Sequence, residues 1–282
     1  MNSIVKVDPH LCTQCGLCVK VCRGTLKMGE HGPEIARDLC IACGHCTAVC
    51  PNDALEHNKA PLKNQVLIQT QPMPDIETAA RFLRERKSIR LFQKKSVPHD
   101  VISQLLDIAR FAPTACNSQG VSYYVVDDQD TLKKIAAAIA DWAEEDLKHG
   151  ALKNSPWVLN TINMITTYRE QGEDTILRNA PCLIIALAEK DMLALGRDNT
   201  HFSITYAQLF ASSLGLGTCW SGLFEYCAMA GYQPLLDLLN LPEGKGVTGA
   251  FMTGYPAVSY KRLVDRDRLE ILWHQPGVNQ ES

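Results

Sequence analysis

Twelve cysteines stand in this chain of 282 residues, and eight of them fall within the first fifty. Cys12, Cys15, Cys18 and Cys22 form one run, and Cys40, Cys43, Cys46 and Cys50 repeat its spacing 28 residues later. Leu11 with Leu39, Gly16 with Gly44, and Val21 with Val49 hold equivalent places, which marks two copies of one supersecondary unit. Two intervening residues let a tight loop present successive sulfurs to one small volume, as a cubane iron-sulfur cluster requires. The fourth cysteine, three residues further on, points elsewhere. Zinc is the alternative, since paired Cys-x-x-Cys motifs also build tetrahedral sites. It would leave four of the eight cysteines without a role.

The run resembles two-cluster bacterial ferredoxins, in which the fourth cysteine ligates the other cluster. That resemblance implies two [4Fe-4S] clusters, one on Cys12, Cys15, Cys18 and Cys50, the other on Cys40, Cys43, Cys46 and Cys22. Cys50 precedes Pro51 as in the ferredoxin pattern, but Cys22 precedes Arg23. A buried cation there would raise one cluster's potential; a solvated one would not. Ferredoxins are complete at about this length, so the rest of the chain is where the electrons are used.

A second chemistry lies further on. Arg86, Lys87, Ser88 and Arg90 stand together in RKSIRLF, and Lys261, Arg262, Arg266 and Arg268 gather near the end. Guanidinium forks and a hydroxyl suit a phosphate monoester, although either group alone is equally a solvated face.

The elements that must position these residues are legible in outline. Pro61, Pro72 and Pro74 make residues 57–77 a connector, giving a metal-binding unit over 1–58, a linker over 59–77 and a larger domain over 78–282. Residues 76–87 read as an amphipathic helix. A second helix carries Val101, Ile102, Leu105, Leu106, Ile108 and Ala109 on one face, with Asp100 as its cap and Pro113 as its stop. SYYVVDD and CLIIALA read as strands, and residues 130–149 and 199–214 as long helices. Helices around a small sheet predict an α+β fold. No GxGxxG follows a strand, so a separate nicotinamide domain is not expected.

RKSIRLF, APTACNSQ (112–119), APCLIIALAEK, GLGTCWSGLF (215–224) and GYP (254–256) occur in the order that resembles the nitroreductase family of FMN-dependent oxidoreductases. The resemblance implies that Arg86, Lys87 and Ser88 hold the FMN phosphate and ribityl chain, with Arg90 near the pyrimidine edge. It implies that Asn117 contacts the flavin ring, in a loop shaped by Pro113, Thr114 and Gln119. Trp220, Ser221, Gly222 and Leu223 match the segment beside flavin N5. Lys261, Arg262 and Arg266 are the late phosphate candidates, Arg266 preferred. Gln119-Gly120-Val121 stands where the family often has Gln-Pro-Trp, and Leu223 where it often has glycine, so substrate geometry cannot be borrowed. The family implies a homodimer with the flavin at its interface and pocket residues drawn from both chains.

A net charge of −3 and a pI near 6.2 provide no basic field for nucleic acid or an anionic membrane. MNSIVKVDPH lacks a signal-peptide pattern, and a cytoplasmic protein is expected. Cys116 and Cys219 lie in flavin-lining segments, where redox partner or proton donor is one reading and core residue the favoured one; Cys182 and Cys227 read as structural. The histidines read as surface or packed residues, and residues 157–179 as a lid over the flavin or as core. The expected activity is reduction of an electron-poor acceptor, a nitroaromatic, quinone or similar compound. Electrons enter singly through the clusters from a ferredoxin or other low-potential donor, with NAD(P)H as another possible donor. The rivals are flavin-dependent oxidation with electron export, and a non-catalytic electron-transfer or redox-sensing module.

Overall fold

The computed structural model describes residues 4–22, 24–68 and 73–274; Arg23, Pro72 and the roles expected of them fall outside. In the N-terminal unit, β1 (Val5–Val7) pairs antiparallel with β4 (Leu55–His57), and β2 (Leu26–Gly29) with β3 (Gly32–Ile35). One short helix follows each cysteine loop: α1 (Leu17–Val21) and α2 (His45–Ala48). Their shared core is small, built from Val5, Leu26, Ala54 and Leu55 with Cys18 and Cys46. A unit of this size ordinarily needs a metal or a cross-link to complete its stability.

Helix α3 (Ile76–Glu85) starts where Asp75 accepts the Thr78 N–H at 2.7 Å. It ends two residues before the expected Lys87, because Arg86 leaves the helical region at φ −59, ψ 124. No residue of α3 is buried; Ile76 is 88% exposed, and Phe82 and Leu83 also face outward.

The larger domain is built on an antiparallel sheet of β5 (Ser122–Val126), β6 (Cys182–Glu189), β7 (Gly217–Trp220) and β8 (Lys245–Gly254), in spatial order β5-β6-β8-β7. Alternation along β6 divides its side chains between two cores. Leu183, Ile185 and Leu187 pack with α5 (Gln129–His149), α8 (Gly222–Met229) and α9 (Gln233–Leu239). Cys182, Ile184 and Ala186 pack with α4 (His99–Ala109) and α7 (Leu193–Phe210). Helix α6 (Val158–Gln171) lies against α5, where Arg169 bridges Asp141 and Glu144.

The expected α+β architecture is present, with differences of detail. Helix α4 begins at His99 after Pro98, which takes the capping position in place of Asp100; proline's fixed φ suits a helix entrance. Helix α7 begins six residues before Asn199. The missing side chain of Gly196 lets the helix lie against Ala188 of β6. Strand β8 hid behind its glycines and threonines, KGVTGAFMTG.

Residues 86–90 meet the sheet at its β7 edge: Ser88 bridges Thr218 in parallel, and Ile89 N–H donates to Thr218 O at 2.9 Å. Gly217 permits this approach, since a Cβ there would stand 2.5 Å from Ile89 Cγ1. Gly217→Val is therefore expected to destabilise the domain by ~1–3 kcal/mol through overpacking, read as a lower urea midpoint. An unchanged midpoint would show that the edge yields without loss.

Candidate functional site

The cysteine repeat is a repeat of backbone as well as of sequence. Gln14 and Ala42 both take φ 55, and Gly16 and Gly44 take φ 76 and 71 at the entrances of α1 and α2. Left-handed backbone at matching places curls each loop around its sulfurs. Cys12, Cys15, Cys18 and Cys50 line one cavity. Cys46 faces Cys22, Cys43 and Cys40. The fourth cysteine of each run thus sits near the first three of the other. Burial pushes the Cys46 thiol up to about 11 and raises Cys18 as well, so a metal must displace protons on binding. Among the described residues no three His, Cys, Asp or Glu side chains are close enough to hold a single metal ion.

His57 belongs to the second set, a contact that spacing alone did not reveal. It is 1% exposed, and its Nε2 lies 3.3 Å from Cys40 Sγ. Its Nδ1 accepts the N–H groups of Lys59 and Ala60 at 3.1 and 3.0 Å.

The two basic segments converge, though not in every residue. Arg86, Lys87, Lys261 and Arg262 line a cavity of about 430 Å³, with Lys87 Nζ 4.9 Å above the Tyr260 ring. Arg266 is exposed and lines neither this cavity nor the next. A second cavity, about 270 Å³, is lined by Arg90, Trp220, Ser221, Gly222 and Leu223, with Trp157, Met164, Arg178 and Tyr226. Ser88 and Thr218 pair at the sheet edge on the chain between the residues of the two cavities. Residues 157–179 accordingly serve two purposes: Ile165 and Ile176 are core, while Trp157 and Arg178 border the cavity.

Arg178 escaped the sequence reading. Its turn is built by Asp174, whose carboxylate accepts N–H groups from Ile176, Leu177 and Asn179 at 3.1, 2.8 and 2.9 Å. The signal was an aspartate ahead of Arg-Asn-Ala-Pro at the entrance to a buried strand. Burial raises the Cys219 thiol while Arg90, Arg178 and Arg86 draw it down, so these three cations share one neighbourhood. Cys219 is buried as expected; Cys116 is exposed, which corrects its reading as core. Cys182 and Cys227 are fully buried, and burial pushes both thiols up to about 12. Trp220 is fixed by Glu225, which is 3% exposed: Trp220 Nε1 donates to Oε2 at 2.9 Å, and Arg197 donates to Oε1 at 2.7 Å.

The loop carrying Pro113, Thr114, Asn117 and Gln119 borders neither cavity in the single chain. Cys116, Asn117 and Gln119 take φ 49, 54 and 53, a strained arrangement for side-chain-bearing residues. Asn199 steadies the loop, accepting from Ala115 N–H at 3.0 Å and donating to Ser118 Oγ at 3.1 Å. Asn117 Nδ2 donates to Ile41 O and Ala42 O, at 3.0 and 3.1 Å. The loop is thereby hydrogen-bonded to the second cysteine loop.

Among the described residues no helix is long and apolar enough to cross a membrane. The chain matches the nitroreductase family over residues 83–255 and a 4Fe-4S dicluster domain over residues 11–55. A protein of Methanothermobacter thermautotrophicus, named as a candidate NADH dehydrogenase/NAD(P)H nitroreductase, is 24% identical over 194 residues, 67% of this chain and 84% of its own length. A nitroreductase from Bacteroides fragilis, solved with bound FMN, has a TM-score of 0.52 at 20% identity over 68% of this chain and 97% of its own. An iodotyrosine deiodinase bound to FMN and 3-iodo-L-tyrosine also has a TM-score of 0.52, at 19% identity over 70% of this chain and 98% of its own. These structures share the fold. Since the family match spans more than half of the sequence, the chain belongs to the nitroreductase family, its flavoprotein-type fold preceded by a ferredoxin-type 4Fe-4S domain.

Proposed function

We propose that the chain is an FMN-dependent oxidoreductase in which two [4Fe-4S] clusters relay single electrons toward reduction of an electron-poor organic acceptor. The observation that carries this reading is the hydrogen bonding of Asn117 to the second cysteine loop, which ties a flavin-type loop to a cluster-type loop. The residues fit both groups. Four thiols surround one cavity and four more form the second set, as two clusters demand. Arg86, Lys87, Lys261 and Arg262 converge on a space suited to a phosphate monoester. Lys261 and Arg262 take the phosphate role in preference to Arg266.

FMN supplies the exchange between one-electron and two-electron transfer, with hydride chemistry at its N5. The chain does the positioning. Arg90 and Arg178 place fixed positive charge where a ring that accumulates electrons needs it. Trp220–Leu223 line the cavity in which the ring would lie, and the Glu225 hydrogen bond keeps Trp220 in place. Trp157, Met164 and Tyr226 form the side from which a flat conjugated acceptor enters and water is displaced. A second copy completes the pocket with its own loop 113–119. The uncovered apolar residues of α3, with Leu269, Ile271, Leu272 and Trp273 of the C-terminal stretch, provide the surface on which that copy packs.

Anaerobic reduction of the reconstituted protein by reduced ferredoxin, NADH and NADPH in turn tests the relay, followed through the flavin and cluster visible bands. Rapid reduction by ferredoxin is expected. Cys15→Ser and Cys43→Ser should each slow it at least tenfold while leaving FMN bound; unchanged rates in both would sink the relay. Arg86→Ala and Lys261→Ala should each weaken FMN retention about tenfold or more, since a charge-assisted hydrogen bond contributes ~1.5–3 kcal/mol. Full flavin occupancy in both, measured by dialysis and fluorescence, would place the phosphate elsewhere.

A further inference from the structure

The two cysteine sets are near copies, so any difference between them must come from what surrounds the sulfurs. Backbone donors reach both sets: Ala54 N–H lies 3.3 Å from Cys50 Sγ in one, and Ala42 N–H lies 3.4 Å from Cys40 Sγ in the other. His57 breaks the symmetry. Its Nδ1 accepts two backbone N–H groups and so carries no proton. The ring proton of the neutral imidazole is therefore on Nε2, aimed at Cys40 Sγ 3.3 Å away. The place 28 residues earlier is Gly29, which has no side chain to donate.

We propose that His57 makes the cluster of Cys40, Cys43, Cys46 and Cys22 the higher-potential member of the pair, and that Asn117 positions this cluster as the exit toward the flavin domain. The inference rests on the two-cluster relay reading. A hydrogen bond to a ligand sulfur withdraws electron density and stabilises the reduced, more negative cluster. Asn117 binds the carbonyls of Ile41 and Ala42, the two residues directly after Cys40, so the tuned cluster is the one held to loop 113–119. Electrons from a low-potential ferredoxin-type donor then run downhill. Each electron that leaves the first cluster reduces the second by one. Two such transfers, with two protons from water, supply the two-electron reduction of the organic acceptor.

An EPR-monitored redox titration of the holoprotein tests this without reference to turnover. Wild-type protein should give two midpoints. His57→Leu should lower only the upper one, about tenfold in the reduced-to-oxidised ratio, or ~59 mV for a one-electron couple. His57→Gln, whose amide N–H keeps a donor near Nε2, should restore most of the shift, which a purely structural role would not. Asn117→Ala should leave both midpoints in place while slowing flavin reduction by chemically reduced clusters at least tenfold. Equal wild-type midpoints, movement of both in His57→Leu, no rescue by glutamine, or undiminished flavin reduction in Asn117→Ala would each overturn the proposal while leaving the relay standing. A holoprotein that reconstitutes with fewer than two clusters would overturn the relay reading itself, and this inference with it.

Discussion

Strand β6 is buried on both faces, and the larger domain is arranged around that constraint. Seven of its eight residues are buried, so each face must be covered by helices and neither is free to line a site. Strand β8, its neighbour, is enclosed in the same way over its last seven residues. Polar chemistry is displaced to the rims of the sheet, and β7 is the rim that residues 86–90 meet. An edge strand leaves backbone groups in want of partners; Thr218 O finds one in Ile89 N–H. That pairing lays Arg86, half-buried, and Arg90, still exposed, along the sheet edge, beside the cavities they border.

Backbone strain gathers in two loops, one ahead of β5 and one ahead of β6. Cys116, Asn117, Gln119, Arg178 and Asn179 all take positive φ with side chains attached, at a cost on the order of 1–3 kcal/mol each. Local hydrogen bonds offset the cost: Asp174 collects three backbone N–H groups around Arg178, and Asn199 holds the loop of Asn117 from both sides. The result is a set of cations and a carboxamide whose directions are fixed before any ligand arrives. Preorganisation of this kind makes electrostatic stabilisation effective, because little reorganisation is left to do.

The N-terminal unit obeys different physics. Its apolar core is too small to dominate its stability, and two of its buried residues, Cys18 and Cys46, are themselves ligand candidates. Metal binding and folding are coupled in such a unit. The connector contributes as well, since Gln65 Nε2 donates to Thr47 Oγ1 at 2.6 Å and to Ala60 O at 3.0 Å, folding the chain after β4 back onto α2. The second cysteine loop is thus held from both sides, by its own connector and by Asn117.

The cysteine spacing by itself determined the cluster-type unit, because ligand geometry acts over a few residues and leaves a local record. The run CLIIALA likewise determined a central strand, since only a doubly buried strand tolerates so many apolar side chains in succession. The long helix before Gly150 was legible for the same local reason. Convergence was not local. That Lys261 and Arg262, and not Arg266, join Arg86 depends on how the C-terminal stretch crosses the β7 edge, and no spacing encodes it. Arg178 reaches the second cavity only through a turn that Asp174 closes. Gly196 and Gly217 each mark a place where two elements press together, a role their positions in the sequence do not announce. The imidazole of His57 meets Cys40 because β4 pairs with β1 and the chain then doubles back, a relation between distant residues that tertiary packing alone decides.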